Sequence, residues 1–430
     1  MYKIAVAGTG YVGLVAGVCF AEKGQQVCCV DVNEEKIEKM KKGQSPIYEQ
    51  GLEEIMTRTY HNGRINYTTN YKEAYRGADF IFIGVGTPER EDGSANLEYV
   101  YEVAKQIAES VEKDCIIVIK STVPIGTNDE IERYIRENLK NNVKIDVASN
   151  PEFLAQGTAV RDTLYPSRII IGTENKEIES KMLDLYKNFD SPKFCTDRRS
   201  AEMIKYASND FLALKISYIN DIANLCETVG ANIQDVTKGM SYDSRIGNKF
   251  LNAGCGYGGS CFPKDTKALH YLAEQGGYEL KTIKAAIEVN KKQKLILIKK
   301  ARKRFSTFKN LNIAILGLTF KPGTDDLREA PSLENIPILL EEGAKIKAYD
   351  PIGTENFKKR INNENILYTK TPQETLKDAD VCFIFTEWDE VKNIKPIEYK
   401  ELMKQPIIYD GRNIYSLEEM KDLEYYSIGR

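Results

Sequence analysis

The chain opens on an apolar run, KIAVA, followed by a glycine-rich turn, GTGYVG, and an amphipathic stretch, LVAGVCFAEK. A second apolar run, QVCCV, leads to Asp31. Strand, turn, helix and strand are predicted, a βαβ unit. Apolar runs recur in ADFIFIGVGTP, CIIVIKSTVP and IDVASNPEF, with helical patterns between them. A parallel sheet with helices on both faces is expected. From Ser200 to Val229 there is neither proline nor glycine, and Ile204, Phe211, Leu214, Tyr218, Ile222, Leu225 and Val229 recur close to a helical period. Thirty residues at 1.5 Å each make one helix of about 45 Å. Such a rod reads as a connector between two domains and as a surface for a second subunit. The last third restarts the first pattern. NIAILGLTF is strand then turn, AKIKAYDP ends its strand at Asp350 as the earlier one led to Asp31, and KDADVCFIFTEW echoes RGADFIFIGVGTP. The expectation is an α/β chain of two doubly wound domains joined by a long central helix, the second beginning near residue 301. The second turn lacks G-x-G-x-x-G, so no dinucleotide is expected there.

Composition narrows the class. With 430 residues, 42% of them hydrophobic, a large core is available, and no run of 18 apolar residues offers a membrane span. The start, MYKIAVAGTG, lacks a basic region before a long apolar stretch, which argues against a signal peptide. A net charge of −3 with mixed signs gives no electrostatic footprint for nucleic acid. Nine cysteines, an odd count without paired zinc-type spacing, point to free thiols, no metal and a cytoplasmic setting. Only two histidines are present, His61 and His270. If a cysteine is the nucleophile, lysines and carboxylates must therefore handle the protons.

Gly8, Gly10 and Gly13 match G-x-G-x-x-G, and Asp31 comes 18 residues after Gly13 at the end of the next strand. The glycines let the backbone approach a pyrophosphate at the helix N-terminus, and the acid accepts from ribose hydroxyls. That charge disfavours a 2′-phosphate, so NAD is expected rather than NADP. GVGTP and STVP end later strands on the carboxyl edge of the sheet, where the ligand crevice should lie. Thr87 and Thr122 are candidate lining residues there, or plain turn formers. In GYGGSCFPKD, Cys261 read alone is either a small core residue or a thiolate aimed at substrate.

Taken together, GTGYVG, GVGTP, STVPIGT, SNPEFL, EMIKYASNDFLALKISYIN, SRIGNKFLNAGCGYGGSCFPKD, GLTFKPGTDDLREAPS and YDGRN resemble, in order and over nearly the whole chain, the nucleotide-sugar 6-dehydrogenases. The resemblance implies two Rossmann-like domains. Residues 1–196 would bind NAD, 197–300 would form the central helical connector and dimerisation region with the cysteine loop, and 301–430 would bind the UDP-sugar. It implies a homodimer through the central helix. It also implies a four-electron oxidation of UDP-glucose to UDP-glucuronate, with two hydrides passing to NAD. An aldehyde is awkward to oxidise further. A thiolate adding to it supplies the tetrahedral carbon for the second hydride, and water then cleaves the thioester.

The resemblance assigns the nucleophile to Cys261 and the catalytic lysine to Lys205. Asn209, one helical turn on, would aim its amide at the same oxygen. Asp265 would move protons through water, Glu152 would serve as base for thioester hydrolysis, and Thr122 would join that water network. On the cofactor side it places the turn from Gly8 to Gly13 with Tyr11 and Val12, then Asp31, Lys36, Gly86, Thr87, Thr122, Gln156, Lys264 and Arg328. On the substrate side it places Glu152 with Phe153 and Leu154, the helix pair Lys205 and Asn209, and the loop residues Phe250, Leu251, Asn252, Gly254, Tyr257 and Gly258. Phe320, Lys321 and Arg412 complete that set, with Arg245 reaching a neighbouring subunit's site. A surface ion pair is the alternative for Arg328 and Arg412. One departure stands out. PEFLAQG has Gln156 where the family usually carries glutamate, which removes a charge from the balance expected near Lys321.

Relatives acting on UDP-N-acetylhexosamines tend to place a histidine before the cysteine. Ser260 stands there instead, which favours glucose over N-acetylmannosamine and leaves GDP-mannose open. Two further readings remain, a two-electron hydroxyacid dehydrogenase and a non-catalytic NAD sensor.

Overall fold

A computed structural model describes residues 1–430. The chain divides into two compact units, Met1–Ser208 and Asn209–Arg430. The first is built on eight strands: β1 (Lys3–Ala7), β2 (Gln26–Val30), β3 (Ile65–Thr68), β4 (Phe80–Ile83), β5 (Cys115–Ile119), β6 (Ile145–Ser149), β7 (Ile169–Gly172) and β8 (Lys193–Thr196). They lie in the order β3-β2-β1-β4-β5-β6-β7-β8. All neighbours run parallel except β6 and β7, which meet antiparallel at Ser149 and Gly172. Every residue of β4, β5 and β7 is buried. This is why the apolar runs are continuous, since helices cover such strands on both faces. Along β1 the side chains alternate between two cores. Ile4 and Val6 pack with Leu14, Val18 and Phe20, while Ala5 and Ala7 pack with Val100, Ala104 and Ile107. Each large side chain so buried contributes about 1.5–3 kcal/mol.

The second unit holds β9 (Asn312–Leu316), β10 (Lys345–Tyr349), β11 (Ile366–Tyr368), β12 (Val381–Ile384), β13 (Ile407–Asp410) and β14 (Glu424–Tyr426), in the order β11-β10-β9-β12-β13-β14. Its first strands repeat the local geometry of β1 and β2. The Gly8 N–H donates to the Val30 carbonyl at 2.8 Å, and the Gly317 N–H donates to the Tyr349 carbonyl at 2.8 Å. Asp350 follows β10 as Asp31 follows β2, but its carboxylate is closed off. One oxygen accepts from the Leu318 and Thr319 amides, the Thr319 hydroxyl and the Trp388 indole, and the other from the Ile352 and Gly353 amides. A carboxylate that filled has nothing left for a ribose.

The central helix runs from Arg198 to Val229, close to the expected span. Its polarity is inverted in part. Phe211, Tyr218, Leu225 and Val229 of the apolar stripe are 61%, 53%, 54% and 66% exposed, whereas Glu202, Lys205, Asn209, Asp210, Ser217 and Asn220 are buried. Exposed apolar stripes of this length mark interaction surfaces.

Candidate active site

In the first unit, the turn after β1 opens the helix Tyr11–Glu22. A Cβ on Gly13 would stand 2.1 Å from the Gly8 carbonyl oxygen, so only glycine lets helix and strand close to this distance. A Cβ on Gly10 would meet nothing within 4 Å, and neither would one on Gly86. The backbone N–H groups at this helix end are thus open to a phosphate. Asp31 accepts from the Thr9 amide at 3.1 Å and its hydroxyl at 2.5 Å on one oxygen, and from the Asn33 amide at 3.0 Å on the other, with Lys36 3.9 Å away. Tyr11 donates its hydroxyl to the Tyr48 carbonyl. Thr87 is buried and donates to the Thr122 carbonyl at 2.8 Å, which joins the ends of two strands on the carboxyl edge. These residues fit a dinucleotide. Open space lies over the glycine turn, and an acid sits at the end of β2.

Glu152 and Lys205 form a buried pair. The Lys205 ammonium donates to Glu152 Oε1 at 2.7 Å, with side chains 3% and 5% exposed. The Leu154 amide donates to Oε2 at 2.7 Å. The Phe153 ring lies 5.5 Å from the Lys205 ammonium and 3.8 Å from the Arg168 guanidinium. Gln156 is buried close by in sequence, and the Glu49 carboxylate holds the next turn through the Gly157 and Ala159 amides at 2.8 Å.

In the second unit, Cys261 occupies the N-cap position of the helix Phe262–Gln275 without a side-chain cap, and Pro263 lies in the first turn. The residue thus stands at the positive end of the helix dipole, an environment suited to an anion. Ser260 Oγ lies 3.7 Å from Cys261 Sγ. Asp265 is almost wholly buried. Lys264 pairs with its Oδ1 at 2.5 Å, and the Asn209 amide donates to its Oδ2 at 2.6 Å. Lys264, expected on the cofactor side, thus has a carboxylate partner in the next residue of its own helix.

Asp210, next to Asn209, is a residue the sequence reading passed over. It is 2% exposed, and neither carboxyl oxygen has a hydrogen-bond partner. Burial first, and the Asp265 carboxylate second, push its pKa from 3.8 to about 8. The folded state therefore holds a proton that the unfolded chain loses near pH 4. Stability is fully present below that point and declines by about 1.4 kcal/mol per pH unit as pH rises toward the folded value. Asp210→Asn is expected to unfold at a higher temperature than the wild type at pH 8, with the gap closing toward pH 4. Parallel pH profiles in calorimetry would refute this.

The loop before Cys261 is held from several sides. The Gly254 amide donates to Asn220 Oδ1, the Tyr257 amide to Asn290 Oδ1 and the Gly259 amide to the Arg328 carbonyl. A Cβ on Gly258 would fall 2.4 Å from the Glu329 carbonyl oxygen. The Phe250 and Tyr257 rings lie 6.2 and 6.0 Å from Phe262. Leu251 is buried in the core, and Asn252 is exposed. Arg412 directs its guanidinium to the carbonyls of Phe385, Gly256 and Phe320 at 2.7, 3.1 and 3.1 Å, so it clamps the loop. Lys321 lies 5.6 Å over the Phe320 ring. Arg328 pairs with Asp326, and Arg245, 87% exposed, pairs with Asp243. The structure does not bring Arg245 to the cysteine loop of its own chain.

A glycine turn under an open phosphate site, with an acid ending β2, defines a dinucleotide-binding domain of the doubly wound class. Models of the UDP-glucose/GDP-mannose dehydrogenase family match in chain order: the NAD binding domain over residues 2–190, the central domain over 199–292 and the UDP binding domain over 314–417. A UDP-glucose 6-dehydrogenase of Bacillus subtilis (strain 168) is 48% identical over 430 residues, covering 100% of this chain and 98% of the relative. One of Rhizobium meliloti (strain 1021) is 45% identical over 437 residues, covering 100% and 99%. The structure of a UDP-glucose dehydrogenase from the hyperthermophilic archaeon Pyrobaculum islandicum superposes with a TM-score of 0.93 at 36% identity, covering 99% of this chain and 97% of that one. The chain belongs to the UDP-glucose/GDP-mannose dehydrogenase family.

Proposed function

We propose that this chain is an NAD-dependent dehydrogenase that oxidises UDP-glucose to UDP-glucuronate. The observation that carries the reading is 48% identity to a UDP-glucose 6-dehydrogenase over the whole of this chain. Residues 1–196 bind NAD, 197–300 carry the cysteine loop and the subunit contact, and 301–430 bind the UDP-sugar. The glycine turn, Asp31, Lys36 and Thr87 would hold the cofactor, and two NAD molecules bound in turn would each take up one hydride per turnover. Lys205 and Asn209 stabilise negative charge on the C6 oxygen. Once C6 is an aldehyde, the Cys261 thiolate forms the C–S bond. After the second two-electron oxidation the adduct is a thioester. Glu152 takes a proton from water, the water oxygen replaces sulfur at the carbonyl carbon, and the thiolate leaves. Asp265, held by Lys264 and Asn209, manages the protons of the cysteine loop. Arg245 serves a neighbouring subunit, and the product supplies polysaccharide synthesis in the cytoplasm.

Two NADH per UDP-glucose consumed are expected. One NADH per sugar, or turnover only with UDP-N-acetylmannosamine or GDP-mannose, would overturn the reading. The exposed stripe of the central helix supports a homodimer. Phe211→Asp with Leu225→Asp is expected to convert a particle of twice 48.7 kDa into one of 48.7 kDa by light scattering. A wild type already at the single mass would refute the dimer.

A further inference from the structure

A third charged group stands behind the Lys205–Glu152 pair. Lys120 follows β5 directly and is 8% exposed. Its ammonium donates to Asn150 Oδ1 at 3.1 Å and to the Asn150 carbonyl at 3.4 Å. Asn150 is fixed on its other sides, where its amide donates to the Ile170 carbonyl at 2.8 Å and the Tyr186 hydroxyl donates to its Oδ1 at 2.5 Å. Pro151 and Glu152 follow directly. Lys120 thus anchors the backbone that aims Glu152. It also lines one small cavity, about 40 Å³, together with Glu152, Phe153 and Arg168. That space admits water but no sugar.

The charge balance is unusual. Two ammonium groups, Lys120 and Lys205, flank one carboxylate in a buried place. Burial lowers the Lys120 pKa to about 8, with Glu152 opposing the shift and Lys205 adding to it. The other titratable groups around the anchor carry little compensation. Cys19 is held as a thiol by burial. Tyr186 is buried and stays a phenol. Arg168 and Asp162 line the cavity with opposite charges.

We propose that Lys120 is a positioning residue for the reaction, holding Glu152 in place through Asn150 and keeping the Lys205–Glu152 pair under a second positive charge. This rests on the reading of Lys205 and Glu152 as catalytic residues. Lys120 holds Asn150, and Asn150 leads through Pro151 to Glu152, so the second ammonium is fixed to the backbone that carries the carboxylate. Like charges disfavour the charged form of a lysine, and opposite charges favour that of a carboxylate.

The test is the pH profile of kcat for UDP-glucuronate formation. Lys120→Gln keeps a hydrogen bond to Asn150 and removes the charge. Both limbs are expected to move to higher pH, by about one unit, with kcat on the rising limb down by up to about tenfold and KM for UDP-glucose within threefold. Lys120→Arg is expected to keep both limbs in place, and so is Tyr186→Phe, which loosens Asn150 without touching charge. In the wild type, lysine side chains labelled with carbon-13 are expected to show one resonance titrating near pH 8 that is absent from Lys120→Arg. That reading needs no neutral variant to fold. Limbs unmoved in Lys120→Gln, limbs displaced in Lys120→Arg, or no lysine titrating below pH 9 would overturn the inference. A wild type that makes no UDP-glucuronate fails the functional reading instead, so the two failures are told apart.

Discussion

Cys261→Ala is expected to lower net formation of UDP-glucuronate by a factor on the order of 10³ or more. Its alanine side chain leaves the helix Phe262–Gln275 intact, because Cys261 makes no side-chain cap there. Folding and UDP-glucose affinity should stay near wild type, so the loss falls on the chemistry. Without sulfur, the aldehyde has no covalent hold on the protein. Quenched reactions should therefore contain aldehyde, trapped as a hydrazone, and no thioester. Mass spectrometry of the quenched wild type should show Cys261 carrying the sugar. Substantial UDP-glucuronate from the alanine variant would remove Cys261 from its role.

The second large effect falls on Lys205. Methionine at this position keeps much of the stem volume but leaves the Glu152 carboxylate buried without its ammonium. Breaking one side of a buried pair costs about 3–5 kcal/mol, and loss of a charge aimed at a developing oxyanion lowers kcat by about 10²–10³. The two costs separate in a double variant. Lys205→Met with Glu152→Gln removes both charges, so stability in urea is expected to recover most of the loss while activity does not. If the single variant Lys205→Met, held under conditions where it is fully folded, kept near-wild-type kcat, Lys205 would be a structural residue only.

The fold was readable where burial is two-sided. Every residue of β4 and β5 is buried, so their sequences are unbroken apolar runs. β11 and β14 span three residues each, and β7 pairs antiparallel with β6. None of these leaves a pattern long enough to read. The central helix was legible in length, because thirty residues lack proline and glycine. The cofactor turn was legible because its glycines answer to backbone distances. Partners were not. Nothing in FPKD says that Lys264 pairs with the next residue, or in DGR that Arg412 clamps three carbonyls. Lys120 did leave a trace, as the one charge ending CIIVIK, and Asp210 left one as a second acid-amide neighbour on an apolar helix.

The helix Arg198–Val229 buries Glu202, Lys205, Asn209, Asp210, Ser217 and Asn220 while Phe211, Tyr218, Leu225 and Val229 face outward, which restricts its length more than its composition. One residue inserted between Asn209 and Phe211 would turn everything after it by about 100° and slide it by about 1.5 Å. Ser217 and Asn220 would leave their buried partners, and Tyr218, Leu225 and Val229 would swing off their common line. Single replacements along the outward stripe disturb one contact each, whereas a single insertion or deletion disturbs both sides at once. Across relatives, this segment is therefore expected to vary in spelling while its residue count stays fixed.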